Sequence, residues 1–294
     1  DVILVSNLEH HSNIVPWQMI AEEKGAEVQV IPVDEAGVLD MKAYVELLDT
    51  NRVKFVAVNH VSNAIGTINP ISYIIEQAHR VGAKVLIDGA QSVAHFEIDV
   101  QALDIDFLAF SAHKLFGPTG VGILYGKRAL LDSMPPYQGG GEMIKEVSFS
   151  GTTYNELPYK FEAGTPNIAD VIAFGSAIDY VKSYGSGELM KQEQALLAYA
   201  TDKLAAIPGL RIVGTAPEKI AVISFVVEGI HPQDLGVLLD KFGVAIRTGH
   251  HCAQPLMQRY GLVGTCRVSF AFYNTLEEID RFIVALERSI RMLG

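Results

Sequence analysis

Lys84-Val-Leu-Ile-Asp88-Gly-Ala-Gln91 and Asp106-Phe-Leu-Ala-Phe-Ser111-Ala-His113-Lys114 have the same form: a short apolar run that stops abruptly at residues able to ionise or hydrogen-bond. Runs this short, rich in β-branched and aromatic residues, read as buried strands. Val2–Val5, Val28–Ile31 and Phe55–Val58 repeat the form. Helical patterns over Asn13–Lys24, Met41–Leu48 and Ile71–Val81 stand between several of them, with Gly25 and Gly82 as C-terminal stops. Strand, helix, strand at these lengths predicts right-handed crossovers and a mostly parallel sheet covered on both faces, an α/β fold. Gly122–Tyr125, after the turn-rich Gly117-Pro-Thr-Gly120, is expected to return antiparallel.

The chain has 294 residues, 49% of them hydrophobic, enough for a substantial core and about two domains. We read 1–184 as a large domain and 185–294 as a smaller α+β domain, with Gly185-Ser-Gly187 at the boundary. Residues 133–168, rich in Gly, Pro, Ser and Thr, read as an irregular segment that is functional or contacts a partner chain. Beyond them we expect a helix from Ile168 past Tyr184 and further helices over Glu188–Ala206, His231–Gly243 and Glu277–Leu293. Strands are expected near Arg211–Val213, Ala221–Val227, Val244–Arg247 and Arg267–Phe272. The 23 basic and 34 acidic residues give a net charge of −11 with no basic block, which argues against nucleic acid or an anionic membrane as partner. The longest apolar stretch, Ile220–Val227, falls far short of the ~20 residues of a membrane span. No signal-peptide pattern opens the chain, and two cysteines make no disulfide framework, so a reducing cytoplasm is expected. The chain begins at Asp1 directly before a buried strand, as if in mid-domain.

In open α/β sheets, ligands bind beyond the carboxyl ends of the strands. Val2–Val5 leads into Ser6-Asn-Leu-Glu-His10-His11 and Phe55–Val58 into Asn59-His60-Val-Ser-Asn63, so four polar clusters reach one edge. Asp88 at the mouth of a buried strand is costly unless paired or hydrogen-bonded; the alternative is an N-cap on the next element. Lys114, if semi-buried, loses solvation, and its amine becomes a nucleophile able to form a Schiff base; the alternative is a solvated surface charge. A carboxylate for a pyridinium nitrogen, a Schiff-base lysine, and Ser111 and His113 for a phosphate are the parts that run pyridoxal 5′-phosphate as an electron sink. Gln91 could donate to the ring oxygen. His10 could stack on the ring or handle protons, or be structural.

In the second unit, Arg247-Thr-Gly-His-His-Cys252-Ala-Gln-Pro255 sets a thiol among a cation and imidazoles, which favours the thiolate. A buried small residue and a zinc ligand are the alternatives; with no Cys-x-x-Cys partner, no metal is expected. Cys266 opens an apolar strand and reads as packing. Arg267 could face the cleft between domains and clamp a carboxylate, or form an interdomain salt bridge.

Together, Glu9-His10-His11-Ser-Asn13, His60-Val-Ser-Asn63, Asp88-Gly-Ala-Gln91, Ser111-Ala-His113-Lys114, Phe161-Glu-Ala-Gly-Thr165-Pro-Asn167 and Arg247-Thr-Gly-His-His-Cys252-Ala resemble the cysteine desulfurases. The nearest branch is the SufS type, group II and related to selenocysteine lyase, among the fold-type-I, class-V pyridoxal-phosphate enzymes. The resemblance runs in order along the whole chain. It implies that Lys114 carries the cofactor, Asp88 pairs with the pyridine nitrogen, Gln91 with the ring hydroxyl, and Ser111 and His113 with the phosphate. His10 would stack on the ring and move protons, Asn63 and Arg267 would hold the substrate carboxylate, and Cys252 would accept the sulfur. Thr165 would reach the phosphate of a neighbouring subunit, which implies a homodimer. The family's large domain begins roughly one hundred residues earlier, with a Gly-Thr-Thr loop whose amides meet the phosphate at a helix N-terminus. Gly151-Thr-Thr153 lies downstream of Lys114 and does not replace it, so the chain reads as lacking the start of that domain.

The resemblance implies an L-cysteine desulfurase that releases L-alanine and leaves a persulfide for iron–sulfur cluster assembly, with selenocysteine as a second substrate. The alternatives are another class-V aminotransferase or lyase that gives Cys252 no role, or an inactive sulfur-accepting or dimerisation module. Relatives that pass sulfur to a zinc-bearing acceptor read His-Pro-His-Asp where this chain has His231-Pro-Gln233-Asp234, and glutamine binds zinc poorly. A zinc-free, SufE-like acceptor is expected.

Overall fold

The computed structural model describes residues 1–50 and 52–294. The apolar runs of the first half pair into one sheet. β1 (Val2–Ser6), β2 (Glu27–Ile31), β3 (Val53–Asn59), β4 (Lys84–Asp88) and β5 (Phe107–Ser111) lie parallel in the order β2-β1-β3-β4-β5. β6 (Gly122–Gly126) adds the antiparallel edge beside β5, as expected. Helices α1 (Val15–Lys24), α2 (Met41–Leu48) and α3 (Ile71–Arg80) occupy the crossovers. α3 shows the driving pattern: Ile71, Ile74, Ile75 and Ala78 are buried at helical spacing and cover the sheet. α1 starts later than its sequence pattern suggests, because His11–Asn13 form a separate 3₁₀ turn in front of it.

The segment after β6 is more ordered than expected. α4 (Arg128–Ser133) is followed by a hairpin of β7 (Ile144–Ser148) and β8 (Gly151–Tyr154). The hairpin exposes nearly every side chain, Val147 and Tyr154 included, so its sequence carries no burial alternation to read. α5 (Ile168–Tyr184) and α6 (Ser186–Ala205) follow, separated by Gly185 at φ +76°.

β9 (Leu210–Val213), β10 (Val222–Val227), α7 (Pro232–Lys241), β11 (Arg247–Gly249), α8 (Gln254–Arg259), β12 (Thr265–Ser269) and α9 (Leu276–Leu293) complete the chain. The strands form an antiparallel sheet in the order β11-β12-β10-β9. Two expectations shift here. Val244 and Ile246 pack on the second core without joining the ladder, so β11 begins only at Arg247. β12 starts two residues before Arg267 and ends at Ser269; beyond it, the Phe270 amide still donates to the Ala221 carbonyl, 2.8 Å away. α8 has no signal beyond Pro255 in its first turn and went unrecognised in the sequence.

One core lies under the parallel sheet and a second between the antiparallel sheet and helices α6, α7 and α9. α8 breaks this division by sequence, since Ala253, Leu256 and Met257 belong to the first core. The segment carrying Cys252 is thereby anchored in the body of the large sheet.

Asp106, at the entry to β5, has no exposed side-chain surface. His79 Nε2 of α3 lies 2.8 Å from Oδ2, the Val85 amide of β4 donates to Oδ2 at 2.9 Å, and Lys127 Nζ lies 3.0 Å from Oδ1. Burial alone would raise this carboxyl, but His79, the Val85 amide and Lys127 together hold it below its usual range. A depressed folded value means stability that is present above the ordinary carboxylate pKa and lost as pH falls through the folded one. Asp106→Asn is therefore expected to destabilise the protein by about 2–3 kcal/mol at neutral pH, the low side for a broken buried ion pair because Lys127 reaches water. In urea unfolding the gap to the parent protein should close as pH falls through the carboxylate range; a gap independent of pH would contradict the assignment.

Candidate active site

The carboxyl ends of β1, β4 and β5 open on a cavity of about 540 Å³. It is lined by His10, Trp17, Asp88, Ser111, His113 and Lys114, together with the small side chains of Ala90 and Ala109. Such a volume lies within the range of cofactor pockets. Asp88 ends β4, and its Oδ1 accepts from the Ala90 amide at 2.8 Å. It caps no helix, since Gln91 holds the position before the next 3₁₀ turn.

Lys114 sits in a 3₁₀ turn directly after β5 and is half-buried. Burial lowers its pKa, the Asp88 carboxylate and the Cys252 thiol pull it back up, and Arg267 pushes it further down. His10 is likewise lowered, by burial first and by Lys114 second. Its Nδ1 lies 2.8 Å from Ser12 Oγ and accepts from the Ser12 amide at 3.1 Å. The ring is thereby turned so that Nε2 is the nitrogen left for the cavity.

The second cluster comes from the antiparallel sheet. Cys252 is exposed and lies with His251 in the left-handed region, at φ +54° and +53°. Asn63 Nδ2 donates to the His251 carbonyl at 2.6 Å, and Arg267 Nη1 donates to the Asn63 carbonyl at 2.7 Å. Arg267 therefore bridges the units through a backbone carbonyl rather than a salt bridge. Its Nε and the Asn63 Oδ1 are buried without partners among the described residues. A buried guanidinium with an unused N–H is a ready donor to a carboxylate. Asn63 Nδ2, with its first N–H on the His251 carbonyl, has a second N–H that can do the same.

Asp88, Lys114, Ser111, His113 and His10 line one cavity, and Cys252 and Arg267 lie within electrostatic reach of Lys114. Gln91 is half-buried and Thr165 exposed, and neither is among the residues lining the cavity. Gly151-Thr-Thr153 belongs to β8 and opens no helix. Among the described residues, no three His, Cys, Asp or Glu side chains converge to hold a metal ion.

Sequence reasoning passed over Glu9 and Trp17. Glu9 is fully buried, accepting from Asn13 Nδ2 at 2.6 Å, from the Asn59 amide at 3.0 Å and from the Ser6 hydroxyl. Burial pushes its pKa up to about 8. Asn13 in turn accepts from Trp17 Nε1 at 3.0 Å, which fixes the indole at the cavity wall. The signal was available for Trp17, the chain's single tryptophan, set one turn beyond His10 behind Pro16.

The residues fit the cofactor. An acid, an amine of lowered basicity and two side chains able to hydrogen-bond a phosphate, Ser111 and His113, share one cavity of adequate size. The two thiols differ sharply: Cys266 is fully buried and pushed up to about 12, whereas Cys252 is exposed. Brief iodoacetamide treatment followed by peptide mass mapping should label Cys252 and spare Cys266. Equal labelling of the folded protein would contradict the structure.

Comparison with known proteins places these features. The family model described as aminotransferase class-V matches residues 1–282. A relative from Xylella fastidiosa (strain 9a5c), named a probable cysteine desulfurase, is 54% identical over 294 residues, which is 100% of this chain and 70% of that protein. The crystal structure of the cysteine desulfurase CsdA (S-sulfonic acid) from Escherichia coli superposes with a TM-score of 0.96 at 42% identity, covering 100% of this chain and 73% of that one. The apo structure of a cysteine desulfurase from Thermococcus onnurineus NA1 gives a TM-score of 0.95 at 38% identity, with 100% and 73% covered. At these identities and over this extent, the chain belongs to the cysteine desulfurases of the class-V aminotransferase family, enzymes that work with pyridoxal 5′-phosphate.

Proposed function

We propose that this protein is an L-cysteine desulfurase in which Lys114 and Cys252 share the chemistry. The observation that carries this reading is the single cavity lined by Lys114, Asp88, Ser111, His113 and His10; charge on Asp88, Arg267 and Cys252 bears on the Lys114 amine. Pyridoxal 5′-phosphate, when bound, supplies an aldehyde for the substrate amine and a conjugated ring that withdraws electrons from the α-carbon. Asp88 would keep the ring nitrogen protonated, Ser111 and His113 would hold the phosphate, and Gln91 the ring hydroxyl. His10 would lie against the ring and exchange protons through Nε2. Thr165 would serve the phosphate of a second subunit in a homodimer, consistent with its being exposed and outside the lining of this chain's own cavity.

Arg267 would bind the substrate carboxylate through its unpaired Nε–H, with the second N–H of the Asn63 amide beside it while the first stays on the His251 carbonyl. Lys114, less basic than a solvated lysine, acts as nucleophile and then as the base that takes the α-proton. The Cys252 thiolate attacks the substrate sulfur. The S–S bond of a persulfide forms, the C–S bond breaks, and its electron pair goes to the β-carbon, which gains a proton; Lys114 returns its proton to the α-carbon, and L-alanine leaves. The oxidation of one sulfur is balanced by the reduction of carbon, so no outside oxidant is required.

Three further readings complete the proposal. The large domain spans 1–184 and the small one 185–294, meeting at Gly185. The product feeds iron–sulfur cluster assembly in the cytoplasm, and selenocysteine is a second substrate. No helix among the described residues is long and apolar enough to cross a membrane. The exposed Gln233, one residue inside α7 from its cap His231, favours a zinc-free SufE-like acceptor over a zinc-bearing one.

Borohydride reduction of the holoenzyme and peptide mapping should find the cofactor on Lys114, and Lys114→Ala should abolish turnover; label on another lysine would refute the assignment. Cys252→Ala should abolish sulfur transfer, whereas full activity would point to an aminotransferase or lyase that does not use the thiol. Turnover should rise strongly with a SufE-type acceptor and little with a zinc-bearing one; stimulation by the zinc type alone, lost on chelation, would overturn the acceptor reading.

A further inference from the structure

His11 has no role in the chemistry above, yet it touches the sulfur-accepting loop twice. Its amide donates to the Cys252 carbonyl at 2.7 Å, and its Nε2 accepts from the Gln254 amide at 3.0 Å. Its ring also lies 5.4 Å from that of His250, tilted by 35°. These contacts join residues more than two hundred positions apart and grip the chain on both sides of the thiol-bearing residue.

The loop needs such a grip. His251 and Cys252 are successive non-glycine residues in the left-handed region, a conformation that side chains disfavour and that local preference cannot sustain. Holding from the inner side comes from Asn63 and Thr265: Asn63 bonds the His251 carbonyl, and Thr265 Oγ1 lies 2.9 Å from His251 Nε2. Neither reaches past residue 251. Within the loop the Cys252 amide donates to His250 Nδ1 at 3.2 Å and the Ala253 amide to the His250 carbonyl at 2.8 Å; the bonds at Cys252 and Gln254 that reach the first sheet's side of the molecule are those to His11.

The position of His11 in the chain gives the contact its consequence. His10 lines the cofactor cavity, and His11 follows it in the same 3₁₀ turn, whose Asn13 is pinned by the buried Glu9. One rigid turn thus presents consecutive residues to the cavity and to the nucleophile loop. We propose that His11 is a positioning residue that holds the Cys252 loop at a fixed distance from the cofactor cavity. The backbone bond survives any substitution, so the side-chain bond to the Gln254 amide is the part that can be removed.

The inference rests on Cys252 being the sulfur acceptor, which added sulfur on the Cys252 peptide of the unsubstituted holoenzyme after reaction with L-cysteine tests separately. In His11→Ala holoenzyme, kcat should fall about tenfold, as expected for a misplaced reacting group. KM for L-cysteine and the absorption band of the bound cofactor should stay unchanged. Hydrogen exchange in the peptide 250–255 should quicken while β4 and β5 remain protected. His11→Gln, whose side-chain oxygen can accept from the same amide, should recover most of kcat and of the exchange protection. The proposal is overturned by undiminished kcat in His11→Ala, by equal impairment of the alanine and glutamine variants, or by loss of the cofactor band along with activity.

Discussion

The proposed chemistry depends on one edge of a parallel sheet bringing an amine and a carboxylate, both half-buried, to the same cavity. Asp88 ends β4 and Lys114 follows β5, and these strands are hydrogen-bonded neighbours, with Asp88 opposite Ala109 in register. Half-burial costs the Lys114 ammonium part of its solvation. The carboxylate restores part of the loss: Asp88 raises the pKa of Lys114 against the fall that burial causes. The remaining imbalance leaves an amine more reactive than a surface lysine.

That arrangement would be inert without the second unit. Arg267 and Cys252 act on Lys114 from β12 and from the loop after β11, and a chain of bonds through Asn63 ties those elements to the large sheet. α8 strengthens the tie by burying Leu256 and Met257 in the large core. The thiol therefore stands exposed on a loop whose two flanks are fixed. An exposed thiol on a held loop suits a group that must meet substrate inside and hand its sulfur to a partner outside.

Much of this was legible in the sequence, for identifiable reasons. The strands of the parallel sheet are nearly all apolar because both faces are covered, and each ends in polar residues because the sheet edge meets solvent and ligand. The gathering of Asp88, Ser111, His113 and Lys114 at one edge of the sheet was therefore readable from position. β7 and β8 were not, since their side chains are exposed and no alternation marks them. β11 was misplaced because Val244 and Ile246 are apolar for packing rather than for pairing. Glu9 could be quoted but not interpreted, because its role depends on Asn59, brought to it by the pairing of β1 with β3. The same is true of His11, whose partners lie at the far end of the chain.

The central claim is that one turnover moves one sulfur from substrate to Cys252, with Lys114 and Cys252 acting on the same molecule. A single-turnover reaction of the holoenzyme with limiting L-cysteine, without acceptor or reductant, tests it most directly. Alanine released and sulfur added to the Cys252 peptide, counted by mass spectrometry in the same quenched samples, should rise together and in equal amounts. Alanine formed without sulfur on Cys252, or sulfur found on Cys266 instead, would contradict the account.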